Sequence, residues 1–246
     1  MKQTLFALLV PAMLTVACTS VTQQPQQTSA VYNDLQRQPG DSTLYGLACD
    51  GCTDSILVFL PYTGGDPDTF NIIEARARRR MLGRPDIGDE IAIVRSSQDS
   101  TVADMVINLE RLKGEWCYQV VPKLKLSLPS ANGKNQAPPT LPDSILKKWL
   151  QPREYGINIM RDNVAMPIGY VRPGTDDKQM PVEFPALKLY REWHIFNGHL
   201  LLTESRRDTT GNLKAFNTDT TDIVLLRRDS LVLRFKDGEQ GYYLRK

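Results

Sequence analysis

The stretch REWHIFNGHLLL, residues 191–202, places Asn197-Gly198 between two apolar runs. Asn-Gly is a strong signal for a tight β-hairpin, because both central positions of such a turn require a positive φ. If the turn consists of these two residues, the side chains alternate between the two faces of the hairpin. The apolar face, which is predicted to be buried, contains Trp193, Ile195, Leu200 and Leu202. The other face contains His194, Phe196, His199 and Leu201.

Further turn signals surround this hairpin. Asp237-Gly238 lies between two strand-like runs, and a turn around Arg228-Asp229 separates two others. Closely spaced strands of this kind predict a meander, and a sufficiently long meander closes into an up-and-down barrel. Residues 153–246 are therefore predicted to form a small barrel.

A second β unit is predicted upstream, over residues 41–128. Short apolar runs alternate there with turn signals, and the segment 69–80 is included among the predicted strands. The Pro-rich segment 129–152 is typical of a linker, with one short helix that begins at Asp143 or Ser144 and ends at Leu150. The predicted fold class is mostly β, with two small β-barrel-like units.

The N-terminal segment predicts export. Lys2 precedes an apolar run from Leu5 to Val16, which is too short to span a membrane as a mature anchor. Ala17-Cys18 resembles a bacterial lipobox, although Thr15 stands where Leu is usual. The resemblance implies a signal peptide over residues 1–17, acylation of Cys18 by chains such as palmitate, and an outer-membrane lipoprotein that faces the periplasm. Residues 18–40 are predicted to be a disordered tether that starts at the lipidated cysteine.

Two resemblances to known families concern the folded part. Residues 153–246 resemble the small lipocalin-like domains of Bacteroidota lipoproteins, through EYGINIMRDNVAMPIGY, REWHIFNGHLLL and DTTDIVLLRRDSLVLRF. The segment LYGLACDGCTDSILVFL, residues 44–60, resembles the N-terminal domain of the NlpE copper-stress and adhesion lipoproteins. That family places an oligonucleotide-fold (OB)-like domain beside a lipocalin-like barrel. The resemblance therefore implies both folds here and leaves open which unit has which.

The pair Cys49 and Cys52 has three open interpretations. Exported proteins meet oxidising conditions, so a disulfide is one of them, although closing so short a loop stabilises by roughly 2 kcal/mol or less. A redox or envelope-stress sensor is the second, as the NlpE resemblance implies. Binding of Cu(I) or zinc by the thiolates is the third. Cys117 follows Trp116 in a predicted strand and is expected to be a buried thiol.

Two other clusters are candidate sites. His194 and His199 are diagonal neighbours in the predicted hairpin, so they could share a metal, and the alternative is two solvated or locally hydrogen-bonded imidazoles. In EARARRR, residues 74–80, a strand would place Arg76, Arg78 and Arg80 on one face. That face is either solvated or a patch for an anionic partner or lipid headgroup.

Charge and motifs narrow the class of function. The formal net charge is only +2 at pH 7, and an exported protein of this charge is not expected to bind nucleic acid. The chain has no nucleophile elbow, zinc-protease helix, P-loop or dinucleotide fingerprint, so neither enzymatic activity nor a cofactor is predicted. The sequence favours a lipid-anchored binding or interaction module, with a small apolar ligand or an envelope protein as its candidate partner. An NlpE-like sensor that uses Cys49 and Cys52 is the alternative.

Overall fold

The computed structural model describes residues 38–124, 142–169 and 182–246. The first elements in chain order are β1 (Leu44–Ala48), β2 (Ile56–Pro61), β3 (Asp68–Asn71), α1 (Ile73–Ala77), β4 (Met81–Leu82), β5 (Glu90–Arg95), β6 (Ala103–Asn108) and α2 (Leu109–Leu112). They are followed by β7 (Gly114–Val120), β8 (Lys123–Leu124), α3 (Asp143–Trp149), β9 (Arg153–Ile159), β10 (Ala165–Ile168), β11 (Val182–Glu183), β12 (Tyr190–Phe196), β13 (His199–Arg207), β14 (Leu213–Leu226), β15 (Ser230–Phe235) and β16 (Gly238–Leu244). The fold is mostly β, as predicted.

The first sheet has OB-like connectivity. Its strand order is β3-β2-β1-β5-β6-β4, and a parallel bridge between Asn71 and Val102 brings the end of β3 to the start of β6. The five longer strands therefore close into a small barrel, with α1 between its third and fourth strands, as in an OB-fold. The side chains buried inside it form one cluster: Ala48, Leu57, Phe59, Phe70, Ile72, Ile91, Ile93, Ala103 and Val106.

The prediction of a strand over residues 69–80 is wrong beyond Asn71. Residues Ile73–Ala77 form α1 instead, because Ile72 and Ala75 are buried on one side at helical spacing. Glu74 and Arg78 form an i,i+4 ion pair on the exposed side. Arg76, Arg78 and Arg80 are consequently distributed around a helix end and do not share one strand face.

The second sheet is an eight-stranded meander with the order β10-β9-β7-β16-β15-β14-β13-β12. Its two edge strands approach each other through a bridge between Val164 and Glu192 and a 2.8 Å hydrogen bond from Trp193 N to Asn163 O. The sheet is therefore a nearly closed barrel. Large side chains from its strands are fully buried, among them Trp116, Ile159, Ile195 and Leu200.

One strand of this barrel comes from upstream of the predicted second unit. Gly114–Val120, assigned by sequence to residues 41–128, pairs with β9 along its whole length and with β16 at Cys117 and Trp116. The predicted short helix is confirmed as Asp143–Trp149, and the Pro-rich segment that precedes it lies outside the described residues as far as residue 141. The predicted signal peptide, Cys18 and the tether as far as residue 37 lie outside the described residues.

The hairpin with the Asn197-Gly198 turn forms as predicted. Phe196 pairs with His199 and His194 with Leu201, and Asn197 and Gly198 have φ values of 48° and 84°. A Cβ at Gly198 would lie 2.7 Å from Met105 Sδ, so the tip packs closely on the first barrel, and the positive φ of Gly198 favours glycine at this position. The hairpin tip is thus a docking point between the two barrels.

A buried carboxylate completes the docking. Asp41, only 8% exposed, accepts hydrogen bonds at Oδ1 from Asn197 N at 2.9 Å and from the amide and hydroxyl of Thr43 at 3.0 and 2.6 Å. The Tyr45 hydroxyl lies 3.1 Å from Asp41 Oδ2 and 2.8 Å from the carbonyl of Ile195. One carboxylate therefore joins the start of the first barrel to the hairpin tip of the second.

The part of the chain that the structure describes contains no helix long and apolar enough to cross a lipid bilayer.

Replacement of Asp41 by alanine is expected to destabilise the protein strongly. It leaves the amides of Asn197 and Thr43 without their buried acceptor, which costs about 2–3 kcal/mol. The urea midpoint of unfolding measures the effect. Asp66→Ala, at an exposed loop aspartate, is the matched control and is expected to change stability by less than about 0.5 kcal/mol. Equal midpoints for the two variants would show that the Asp41 network does not hold the barrels together.

Candidate functional site

A cleft of about 1600 Å³ lies between the two barrels. Among the residues that the structure describes, its lining includes nine arginines but only three acidic residues, Asp54, Asp222 and Glu239. Such an excess of one sign of charge in a concave surface focuses the electrostatic potential and attracts counter-charge. This arginine-lined cleft is the candidate functional site.

One wall of the cleft is built around the end of α1 and is called the α1 wall. Its arginines are Arg76, Arg78, Arg79, Arg80, Arg84 and Arg111. The chain leaves α1 through a 2.7 Å hydrogen bond from Arg80 N to Ala75 O, and Arg79 has a φ of 56°. Arg79 is therefore in the left-handed conformation that usually favours glycine at a helix end.

The loop that carries Arg84 is held by a buried amide. Asn108 is fully buried, and its Nδ2 donates to the Arg84 carbonyl at 2.9 Å and to Asp89 Oδ2 at 2.7 Å. Its Oδ1 accepts a hydrogen bond from Arg111 N at 2.9 Å, which caps α2. One side chain thus positions the Arg84 loop and the helix that carries Arg111.

The opposite wall is the β14–β15 hairpin and is called the turn wall. Arg227 and Arg228 lie in the turn, and Arg234 follows on β15. Arg227 N donates to Ser230 O at 2.8 Å, and Leu244 N donates to Asp229 O at 3.0 Å, so the turn is fixed to the end of β16. Strand β4 of the first barrel contacts β14, which brings this wall opposite the first.

Four of the nine arginines have a carboxylate partner. The pairs are Arg76–Asp54, Arg78–Glu74, Arg111–Asp86 and Arg234–Glu239. The other five make no ion pair with any residue in the described ranges: Arg79, Arg80, Arg84, Arg227 and Arg228. Unpaired guanidinium groups are therefore present on both walls.

The loop between β1 and β2 forms one rim of the cleft and contains the cysteine pair. Arg76 holds the pKa of Asp54 below its ordinary value, through a hydrogen bond and through its charge. Cys52, two residues before Asp54, also lines the cleft. Cys49 and Cys52 are free thiols in this structure, and Cys52 Sγ accepts a hydrogen bond from Val58 N at 3.3 Å. In the rim, Cys52 is therefore two residues from Asp54, the carboxylate that pairs with Arg76.

The two histidines have separate local partners. His194 Nδ1 lies 2.9 Å from Asn163 Nδ2, and burial lowers the pKa of His194. His199 Nδ1 lies 2.6 Å from Asp222 Oδ1. In the portion of the chain that is described, no three His, Cys, Asp or Glu side chains group together in a way that could hold a metal ion.

Cys117 lies outside the cleft. Its side chain is fully buried in β7, which agrees with the prediction of a buried thiol, and burial raises its pKa. A buried thiol with a raised pKa is a poor nucleophile and a poor metal ligand.

Comparisons with known proteins give little for this chain. No family model matches it, and no curated protein matches it. Among solved structures it is similar to a lipocalin-like protein from Bacteroides thetaiotaomicron, with 22% identity over 54% of this chain and 95% of that chain, and a TM-score of 0.28. The strand order described above, and not this likeness, defines the fold.

The sequence pattern indicated three of these arginines as a candidate patch but not the cleft to which they belong. Arg76, Arg78 and Arg80 all line the cleft, but Arg84, Arg227 and Arg228 come from distant segments. The Arg227-Arg228 pair could have been recognised in the sequence as an exposed positive group, because charged residues in a hairpin turn project from the end of a sheet. Their meeting with the α1 wall depends on how the two barrels dock.

Replacement of Arg79 by glycine is expected to stabilise the protein. It relieves a left-handed backbone conformation at a helix end, for a gain of about 0.5–1 kcal/mol. The matched control is Arg78→Gly, at a neighbouring residue with a φ of −86°, where glycine is expected to lower stability by a similar amount. The two urea midpoints should therefore move in opposite directions. Destabilisation by both would show that Arg79 is not strained.

Proposed function

We propose that this protein is a binding module that holds an anionic ligand in the arginine-lined cleft. The observation that carries the proposal is the set of five arginines without a carboxylate partner among the described residues, contributed by both barrels. Clustered like charges repel one another, and a bound anion removes that repulsion. The guanidinium group also presents a planar fork of donors that matches phosphate and carboxylate groups.

The backbone around the arginines supports a binding role. Arg79 occupies a conformation that costs about 1–2 kcal/mol for a residue with a Cβ, and strain of this kind is concentrated at functional sites. Asn108, buried with its amide and its carbonyl oxygen both hydrogen-bonded, fixes the Arg84 loop in advance. A site whose charged groups are held before binding loses less entropy when the ligand arrives.

The small apolar ligand predicted from the sequence is less well supported than an anion. Its natural location would be the interior of the eight-stranded barrel. Fully buried Trp116 and Leu200 and nearly buried Trp193 occupy that interior, and barrels of this strand number leave room for at most a small ligand. Export and anchoring through Cys18, and the outer-membrane location, stay predictions from the sequence and form part of this proposal. The absence of catalysis also stays a prediction.

Inorganic phosphate is the simplest probe of the proposal. At fixed ionic strength, phosphate about tenfold above its dissociation constant is expected to stabilise the native protein by about 1.4 kcal/mol. A fourfold variant should lose this effect: Arg79→Gln, Arg84→Gln, Arg227→Gln and Arg228→Gln. The control removes the same charge from exposed positions outside the cleft: Arg95→Gln, Lys214→Gln, Lys236→Gln and Lys246→Gln.

The measurement is the urea midpoint with and without phosphate. A phosphate effect that is retained in the control and lost in the fourfold variant supports the cleft as the binding site. An equal effect in both variants, or no effect in the wild type, contradicts the proposal.

A second candidate function, a thiol-dependent sensor, is favoured by the position of Cys52 on the rim of the cleft. Oxidation by glutathione disulfide would join Cys49 Sγ to Cys52 Sγ, and the two electrons and two protons released would reduce the glutathione disulfide to two molecules of glutathione. The Cys52 thiol would then leave its contact with Val58 N, and the segment that positions Asp54 would shift.

Oxidation is therefore expected to change the affinity for phosphate by roughly twofold or more, since a released Arg76 adds an unpaired charge. Calorimetric titration of the oxidised and reduced protein measures the change. Cys49→Ser cannot form the disulfide and should give the same affinity under both conditions. Identical affinities in oxidised and reduced wild type would rule out a sensor that acts through the cleft.

A further inference from the structure

The two walls of the cleft present their unpaired arginines from separate elements. Arg79, Arg80 and Arg84 follow α1 on the α1 wall, and Arg227 and Arg228 form the tip of the turn wall. Each wall is fixed by its own hydrogen bonds, the first through Asn108 and the second through the β14–β15 turn. Neither wall can satisfy the other's charge, because both are positive.

The size of the cleft favours a ligand that is larger than a single phosphate group. At about 1600 Å³, it exceeds the roughly 300–1,000 Å³ of ordinary small-molecule pockets. A single phosphate group would occupy a small part of that space. It would contact one wall and leave the guanidinium groups of the other wall unpaired.

We propose, on the basis of the anion-binding function proposed above, that the ligand carries two or more phosphate groups and bridges the two walls. One phosphate group binds the forks of Arg79 and Arg84, and another binds those of Arg227 and Arg228. Because the two contacts belong to one molecule, the second forms at a high effective concentration, and the affinity greatly exceeds that of either contact alone. Phosphate is favoured over other anions because each group carries up to two charges and several acceptor oxygens for an arginine fork.

Tripolyphosphate and inorganic phosphate are the two probes. At equal ionic strength, calorimetric titration is expected to give one tripolyphosphate per protein, bound roughly 100-fold more tightly than phosphate. An α1-wall variant (Arg79→Gln with Arg84→Gln) and a turn-wall variant (Arg227→Gln with Arg228→Gln) should each lose most of this difference. The control Arg95→Gln with Lys236→Gln removes the same charge outside the cleft and should keep it.

Combination of the two wall variants distinguishes a bridging ligand from a ligand that is attracted only by the total positive charge. If one ligand spans both walls, replacement of the arginines of either wall abolishes the bridge. Replacement of the second pair then lowers the affinity for tripolyphosphate far less than replacement of the first pair did. If the arginines act only through their summed electrostatic field, each pair of replacements lowers the affinity by its own factor, whether or not the other pair is present. The two factors then multiply in the combined variant.

Charge-retaining variants test the role of the arginine fork. Arg84→Lys with Arg228→Lys keeps the net charge and is expected to weaken tripolyphosphate binding about tenfold, because lysine cannot bind a phosphate group in a bidentate manner. Urea midpoints confirm that each variant is folded. Unchanged affinity in this lysine variant would overturn the inference that arginine forks recognise the ligand.

The phosphate groups could belong to a free solute or to the headgroup of a lipid. Vesicles of phosphatidylcholine that carry a lipid with two headgroup phosphates are compared with vesicles that carry phosphatidylserine at equal total charge. Selective binding to the bisphosphorylated vesicles, lost in both wall variants, assigns a lipid headgroup. Tripolyphosphate binding without vesicle selectivity assigns a free solute.

The two proposals fail differently. Phosphate binding with no preference for tripolyphosphate overturns the bridging inference and leaves the anion-binding function in place. If neither anion binds the wild type, both are overturned.

Discussion

The buried carboxylate of Asp41 is the interaction on which the arrangement of the two barrels depends. It lies at the start of the first barrel, yet it accepts the backbone amide of Asn197 at the hairpin tip of the second. A buried carboxylate is stable only when its oxygens are hydrogen-bonded, so the tip cannot move away without a large cost. Gly198 packs closely there on Met105, which would have to shift to admit a Cβ. This contact, together with that of β4 with β14, joins the two barrels that form the walls of the cleft.

The arginine-lined cleft brings together side chains whose positive charges repel one another. Several positive charges converge, and among the described residues only some of them have a carboxylate partner, such as Asp54 or Glu239. Arg79 stands in a left-handed conformation where glycine would be more stable, and buried Asn108 is used to hold the Arg84 loop. These features either reduce the free energy of unfolding or use a buried polar group, and together they place exposed guanidinium groups in a concave site. The anion binding proposed above would account for all three.

Local sequence signals were reliable where one short segment specifies its own backbone. Asn197-Gly198 requires two positive φ values, and alternation about this turn was enough to predict which residues of the hairpin are buried. The error at residues 69–80 has a physical reason as well. Alternation of Arg and small residues matches a strand, but burial of Ile72 and Ala75 on one side of a single helical turn outweighed that pattern.

The sequence by itself determined the mostly β class, the Asn197-Gly198 hairpin, the short helix and the burial of Cys117, since these depend on periodicity and turn chemistry within a few residues, whereas the turn predicted at Asp237-Gly238 lies one residue earlier, because Gly238 pairs with Phe235. It also supplied three of the cleft arginines, although in the wrong local geometry. Only the tertiary structure decided that β7 completes the second barrel, that the first barrel has OB-like connectivity and that Arg84 meets Arg227 and Arg228 across a cleft. The physical reason is that these features depend on pairing and docking between segments far apart in the chain, and no local pattern encodes the distance between two such segments.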